Sequence, residues 1–216
     1  MQKLIYICFI ALFSMACKQN TETKTVEPEV SVAEKIANAH GFENWKNVSE
    51  ISFTFFGKRS WTWQPKSNDV KLITETDTIT YNRKNMDSIA TKYDRGFVND
   101  KFWLLIPFQL IWDTGTTISE PIQSEAPISK TVMNKITLTY SSEGGYTPGD
   151  AYDIYFDNQY IIKEWAFRKG NAPEAGLVNT FENYKDYNGI KIALDHKKGE
   201  DDWNLSFSNV EVVLEN

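Results

Sequence analysis

Hydrophobic and polar positions alternate along most of the chain after residue 50, and this period of two predicts β-strands. Ile51, Phe53 and Phe55 fall on one face of such a strand. The same alternation recurs in later segments that carry Trp61 and Trp63, Val70 and Leu72, Ile79 and Tyr81, Ile136 to Tyr140, Tyr152 to Phe156, Ile161 to Phe167, Ile190 to Leu194, and Leu205 to Val212. Because short turn sequences separate most of them, we predict consecutive antiparallel strands in one long meander.

Two segments break the alternation and predict helices. Ser31 followed by Glu34 has the spacing of a capping box, so a helix is expected to begin there. Gly41 ends this helix or separates it from a second short turn that carries Trp45. Residues 99–112 form a dense apolar segment with helical spacing, which predicts a short aromatic helix that Pro107 ends or kinks.

Together these patterns predict a mainly β (α+β) fold. We expect a curved antiparallel half-barrel sheet with an N-terminal helix and a short aromatic lid helix. The lid helix is apolar almost all round, so it must be buried on more than one side. A curved sheet covered by so few helices has difficulty filling its concave side, and an unfilled concave side is a ligand cavity.

The first sixteen residues have the layout of a secretory signal, with an apolar run from Leu4 to Phe13 ahead of Cys17. The run is shorter than the roughly 20 residues that span a bilayer. Ala16-Cys17 is similar to a bacterial lipobox, although Ser14 stands where that motif usually has Leu. We therefore predict a lipoprotein signal peptide (1–16), lipidation of Cys17, a flexible tether (17–30) and a single domain (31–216). A plain secretory signal or a short buried helix is the alternative.

Composition excludes several classes of protein. An apolar fraction of 41% and an aromatic fraction of 14% describe a globular chain. The formal charge of −6 has the wrong sign for binding a phosphate backbone, so we expect no nucleic-acid partner. Cys8 would leave with the signal peptide and Cys17 would carry the lipid, so the mature domain would have no disulfide.

The sequence offers no catalytic constellation. His40 and His196 are the only histidines, and no G-x-S-x-G motif occurs. Both histidines are interpreted as surface or structural residues, and a zinc site of the usual ligands is not expected. Acidic residues are abundant, but abundance alone does not place two carboxylates within acid/base reach. We therefore predict a protein that is not an enzyme and has no cofactor, metal or catalytic residue.

The aromatic residues are the candidate binding groups. Aromatic walls with few polar groups are typical of small-molecule sites. We predict that Trp61 and Trp63 line the wall of a cavity and that Trp165 and Phe167 face inward from a later strand. The lid would be formed by Trp103, Leu105, Phe108 and Trp112. Plain core packing is the alternative for each of them.

The order of these features resembles the LolA/LolB-type lipoprotein-carrier fold, a half-open antiparallel barrel lidded by helices. The lipobox Cys17, the polar tether, the helix and the strand that begins at Ile51 carry the resemblance. Residues 97–108 and 162–170 are also similar to segments of uncharacterised Bacteroidota envelope lipoproteins. The resemblance implies an apolar cavity that holds acyl chains.

These observations favour a membrane-anchored, periplasm-facing envelope lipoprotein that binds a lipid or another hydrophobic molecule without catalysis. A carbohydrate-binding or carbohydrate-processing accessory lipoprotein is the first alternative, and it would use the same aromatic residues as exposed stacking surfaces. A scaffold partner in an envelope complex is the second, with the aromatic residues in a patch that a partner protein covers.

Overall fold

The computed structural model describes residues 30–143, 146–199 and 202–215. The predicted signal peptide, Cys17 and all of the tether except Val30 lie outside the described residues.

The N-terminal helical segment has the predicted capping box. Helix α1 (Val32–Ala39) begins after Ser31, whose hydroxyl accepts a hydrogen bond from the Glu34 amide, and the Glu34 carboxylate accepts one from the Ser31 amide at 2.8 Å. Gly41 separates α1 from a 3-10 helix (Phe42–Asn47). Its φ of 91° is the left-handed conformation that glycine adopts freely, so the predicted break at this position is confirmed.

The strands follow one another along the chain as β1 (Val48–Phe55), β2 (Arg59–Gln64), β3 (Asp69–Ile73), β4 (Thr78–Asn82), β5 (Thr116–Ile118), β6 (Ile122–Glu125), β7 (Val132–Tyr140), β8 (Ala151–Phe156), β9 (Ile162–Arg168), β10 (Leu177–Thr180), β11 (Glu182–Tyr187), β12 (Ile190–Lys197) and β13 (Asn204–Leu214). The predicted mainly β fold with antiparallel pairing and few helices is confirmed.

The strands form two sheets, whereas the alternation alone suggested one meander. The first sheet has the order β11-β12-β13-β1-β2-β3-β4, and the second has the order β10-β9-β8-β7-β5 with β6 also paired to β7. Only Phe181 separates β10 from β11, so the chain passes directly from one sheet to the other. The Phe181 amide donates to the Lys163 carbonyl at 2.7 Å, which holds this passage against β9.

The predicted short aromatic helix is in fact two helices, and the first begins eleven residues earlier than expected. Helix α2 (Ser88–Leu104) is capped by Asp87, whose carboxylate accepts from the Ala90 amide at 2.7 Å. Helix α3 (Ile106–Trp112) follows after Leu105, which has non-helical φ and ψ angles of −125° and 31°. Pro107 lies in the first turn of α3, where its missing N–H costs no helical hydrogen bond, so the predicted break is confirmed.

Side chains from α2 and α3 fill most of the space that the two sheets enclose. Phe97, Phe102, Leu105 and Phe108 are each at most 2% exposed, and one hydrophobic core contains residues of both sheets and all three α-helices. The concave side is therefore more completely filled than the sequence suggested.

Among the described helices, none combines the length and apolar character needed to cross a bilayer.

Candidate functional site

Helix α2 separates two groups of aromatic side chains. Toward the first sheet lies a group that we call the Trp63 cluster, formed by Phe42, Trp45, Trp63, Phe108 and Trp112. Toward the second sheet lies a group that surrounds a pocket of about 270 Å³. We call it the Trp165 pocket, and its lining residues are Asn99, Phe102, Trp103, Tyr146, Thr147, Tyr152, Trp165, Phe167 and Leu177.

The walls of the Trp165 pocket are aromatic rings in direct contact. The ring centroids of Trp103 and Trp165 are 4.5 Å apart in an edge-to-face arrangement. The rings of Phe102 and Tyr146 stack with their centroids 4.0 Å apart. Phe167 and Leu177 lie opposite each other on β9 and β10 and are each partly exposed at the pocket. The pocket thus has an apolar wall that is rigidly supported by both the helix and the sheet.

A few polar groups lie on one side of this pocket. The Tyr146 hydroxyl donates to the Asn99 side-chain oxygen at 2.7 Å, and the hydroxyls of Thr147 and Tyr152 are 3.2 Å apart. Burial raises the pKa of Tyr146 and of Tyr152, so both phenols stay protonated at neutral pH. Apolar walls with a few oriented hydroxyl and amide groups are typical of a small-molecule site.

Two fully buried polar side chains lie behind the Trp103 and Trp165 rings. His196 on β12 contacts Trp103, with ring centroids 5.5 Å apart. Asn179 on β10 accepts a long hydrogen bond of 3.5 Å from the Trp165 indole. Burial lowers the pKa of His196 to about 3, which keeps the imidazole neutral at physiological pH. Within the described residues, neither His196 ring nitrogen nor the Asn179 amide nitrogen has a hydrogen-bond partner.

On the other side of α2, the Asp100 carboxylate is fully paired, whereas the buried Trp63 indole nitrogen has no hydrogen-bond partner in the described residues. This carboxylate is 0% exposed and accepts hydrogen bonds from the Arg59 guanidinium at 2.7 Å, the Trp61 indole at 2.8 Å and the Asn99 amide at 2.9 Å. Trp61 is therefore held by a specific hydrogen bond as well as by packing. Such an arrangement is typical of a structural core.

Lys101 is buried against the Trp63 cluster. Its ammonium lies 5.8 Å from the Trp63 ring centroid and 5.3 Å from that of Trp112, within the range of cation–π attraction. With the Gln109 amide turned so that its oxygen faces the lysine, that oxygen accepts from Nζ at 2.8 Å, and its nitrogen donates to Asp113 at 3.2 Å. Burial lowers the pKa of Lys101 to about 8.

Only some of the predicted binding residues come together. Trp103, Trp165 and Phe167 line the Trp165 pocket, and their role in binding stays a prediction. The other five predicted residues do not line it: Trp61, Trp63, Leu105, Phe108 and Trp112. Trp63, Phe108 and Trp112 belong to the Trp63 cluster, while Trp61 and Leu105 are 1% and 2% exposed in the core.

Sequence reasoning missed several residues of this site. Phe102 and Tyr152 were placed correctly in a helix and a strand, but their helical spacing and alternation do not distinguish a pocket wall from the core. Leu177 and Asn179 lie on a strand of four residues that was not predicted. His196 was interpreted as surface or structural, and the structure shows that it is fully buried.

Comparison with known proteins gives no relative from which a role can be transferred. No family model, curated protein or solved structure matches this chain. The resemblance to the LolA/LolB-type carriers therefore stays a prediction. In the described parts of the chain, no three His, Cys, Asp or Glu side chains are grouped so that they could hold a metal ion.

Proposed function

We propose that this protein is a non-enzymatic, membrane-anchored envelope lipoprotein that binds a small hydrophobic molecule in the Trp165 pocket. The observation that carries the proposal is the pocket itself, in which an aromatic wall meets a few paired hydroxyl and amide groups. Its volume of about 270 Å³ lies just below the usual range of about 300–1,000 Å³ for ligand pockets. The ligand is therefore one small molecule or one end of a single acyl chain.

Four of the five tryptophans predicted as binding groups are buried, which favours this proposal over a carbohydrate platform, and only Trp112 of the five is partly exposed. Stacking on a sugar requires an exposed aromatic face. Trp61, Trp103 and Trp165 are 1%, 8% and 1% exposed, so none of them presents a free face to solvent. A small apolar pocket makes better use of rings that are held edge to face in the interior.

The first test is native mass spectrometry of the full chain purified from its own host, followed by organic extraction. We expect a hydrophobic molecule bound at one copy per chain. Leu177→Trp adds volume at the pocket wall and should lower the occupancy, while Val132→Trp, at a β7 position that is 64% exposed, should leave it unchanged. A ligand-free mass for the wild-type chain would contradict the proposal.

The membrane anchor is a separate part of the proposal and rests on Cys17 alone. A single thioether-linked lipid group on this residue would place the domain at a membrane surface with the tether as a spacer. Metabolic labelling with palmitate should mark the wild-type chain and leave Cys17→Ala unlabelled. Equal labelling of both chains would show that the lipid is attached elsewhere. If neither chain were labelled, the proposed lipid anchor would be contradicted.

A further inference from the structure

Three of the four buried side-chain atoms that lack a hydrogen-bond partner in the described residues lie behind the Trp165 pocket. A buried donor or acceptor without a partner destabilises a fold, and folded proteins contain few of them. The three atoms, for which the described residues offer no partner, are both ring nitrogens of His196 and the amide nitrogen of Asn179. Both side chains are 0% exposed.

The topology brings together the strands that carry these two side chains. The Lys197 amide donates to the Thr180 hydroxyl at 3.0 Å, so the end of β12 that carries His196 lies against the end of β10 that carries Asn179. Leu177 is two residues before Asn179 on the same strand and therefore on the same face. Since Leu177 lines the Trp165 pocket, Asn179 continues that lining one step deeper into the molecule.

The rings of Trp103 and Trp165 separate the open pocket from these groups. Trp103 contacts His196 on one side and Trp165 on the other. Phe181 and Phe207 cover two further sides of the imidazole, with centroid distances of 4.6 Å and 5.6 Å. A ligand would reach these groups only by displacing the Trp103 indole.

We infer that His196 and Asn179 form a polar subsite at the inner end of the Trp165 pocket, which selects an amphiphilic ligand with an uncharged hydroxyl end over a plain hydrocarbon. This inference rests on the proposed function of the pocket. A neutral imidazole has one donor and one acceptor nitrogen, and the Asn179 amide adds a donor. A hydroxyl group can donate to the imidazole and accept from the amide at the same time.

The surroundings disfavour a charged end group. Aromatic rings enclose the imidazole, and its pKa of about 3 leaves it uncharged at neutral pH. The nearby Lys197 ammonium is paired with Glu182 at 2.7 Å. A carboxylate at this depth would lose its hydration without gaining a cation, whereas a hydroxyl would meet both of its hydrogen-bonding needs.

Toluene and benzyl alcohol test the inference because they differ by one hydroxyl group. Both are titrated into the full chain, and binding is followed by NMR. A purely apolar pocket would bind toluene more tightly than benzyl alcohol. We expect the polar subsite of the wild-type chain to shift the ratio of the two affinities toward benzyl alcohol. Asn179→Leu and His196→Phe should each move the affinity ratio toward toluene by about tenfold. Asn134→Leu, on β7 outside the pocket, should not.

A second measurement on the wild-type chain covers the case in which the variants do not fold. The nitrogen resonances of the His196 imidazole should shift when benzyl alcohol binds and should shift much less with toluene. If toluene binds but neither the imidazole signal nor the affinity ratio responds to the hydroxyl group, the subsite is overturned while the pocket stands. If neither probe binds, the proposed function fails and the subsite fails with it.

Discussion

The two sides of helix α2 carry the same kinds of residue but differ in how completely their polar groups are paired. Toward the first sheet, Asp100 accepts from Arg59, Trp61 and Asn99, and Lys101 is enclosed by aromatic rings and an amide. Toward the second sheet, the aromatic rings leave a pocket, and three buried nitrogens behind it, on Asn179 and on His196 of β12, lack partners in the described residues. On the Asp100 side, the Trp63 indole nitrogen lacks one.

This difference distinguishes a core from a candidate site where aromatic content does not. Paired polar groups fix one packing arrangement, so the Asp100 side is built for stability. Unpartnered polar groups cost stability, and we propose that those behind the pocket are retained because a ligand can pair them. The predictions that follow change one side of α2 at a time and start with the largest expected effect.

Replacing Asp100 with Asn should destabilise the fold more than any other change considered. The variant leaves the Arg59 guanidinium without its carboxylate and weakens the bond to the Trp61 indole. Asp100 is fully buried but the Arg59 side chain is 35% exposed, so the loss should be about 2–3 kcal/mol, below the about 3–5 kcal/mol of a fully buried ion pair. Urea unfolding measures the loss, with Glu174→Gln at an exposed position as the control. A loss as small as that of the control would contradict a structural role for this side.

Lys101 should make the stability of the protein rise with pH above about pH 8. The pKa of Lys101 in the folded chain is about 8, against 10.5 for an ordinary lysine, mainly because of burial and then because of Arg83, while Asp113 and Asp94 oppose the shift. Between these two pKa values Lys101 binds more protons in the unfolded chain than in the folded chain, so raising the pH stabilises the fold. The gain is about 3 kcal/mol if the pH rises through both pKa values.

The measurement is urea unfolding of the wild-type chain and Lys101→Met between about pH 7 and about pH 9, because the tyrosines of the unfolded chain begin to ionise above that range. We expect the wild-type chain to gain stability relative to the variant as the pH rises. Parallel curves would show that the lysine keeps an ordinary pKa and is not enclosed as described.

Asn179→Leu should have the smallest effect on stability, although the side chain is as buried as Asp100. The change loses one long hydrogen bond from Trp165 but also removes an amide nitrogen without a partner in the described residues. The loss of the long bond to the buried Trp165 indole is offset by the removal of the unpartnered amide nitrogen, so we expect a change within about 1 kcal/mol. A loss comparable to that of Asp100→Asn would place Asn179 in the structural core instead.

Much of the architecture follows from local sequence patterns. Alternation located the strands around Phe53, Trp63 and Ile154, and the Ser31 capping box located the first helix, because both signals depend on residues close in sequence. The first half of α2 was missed because its polar residues show no apolar period. Asp94 and Asp100 hold that helix through Arg83 and Arg59, which lie 11 and 41 residues away from their partners in sequence.

The candidate site was only partly predictable, because its contacts join residues that are far apart in sequence. Trp103, Trp165 and Phe167 were predicted among the binding residues and line one pocket, but nothing local separates them from Trp61, which a distant carboxylate fixes in the core. Asn179 and His196 lie on strands that meet only after the chain has crossed between the two sheets. Their burial therefore depends on the tertiary fold and leaves no local signal in the sequence.

The most direct test of the central claim is NMR of the indole N–H groups of the seven tryptophans during a titration of the full chain with benzyl alcohol. We predict that the Trp103 and Trp165 signals shift together with saturation, while those of Trp61 and Trp63 stay in place, because only the first pair lines the pocket. Shifts confined to the Trp63 cluster, or no shift in any indole, would contradict the account.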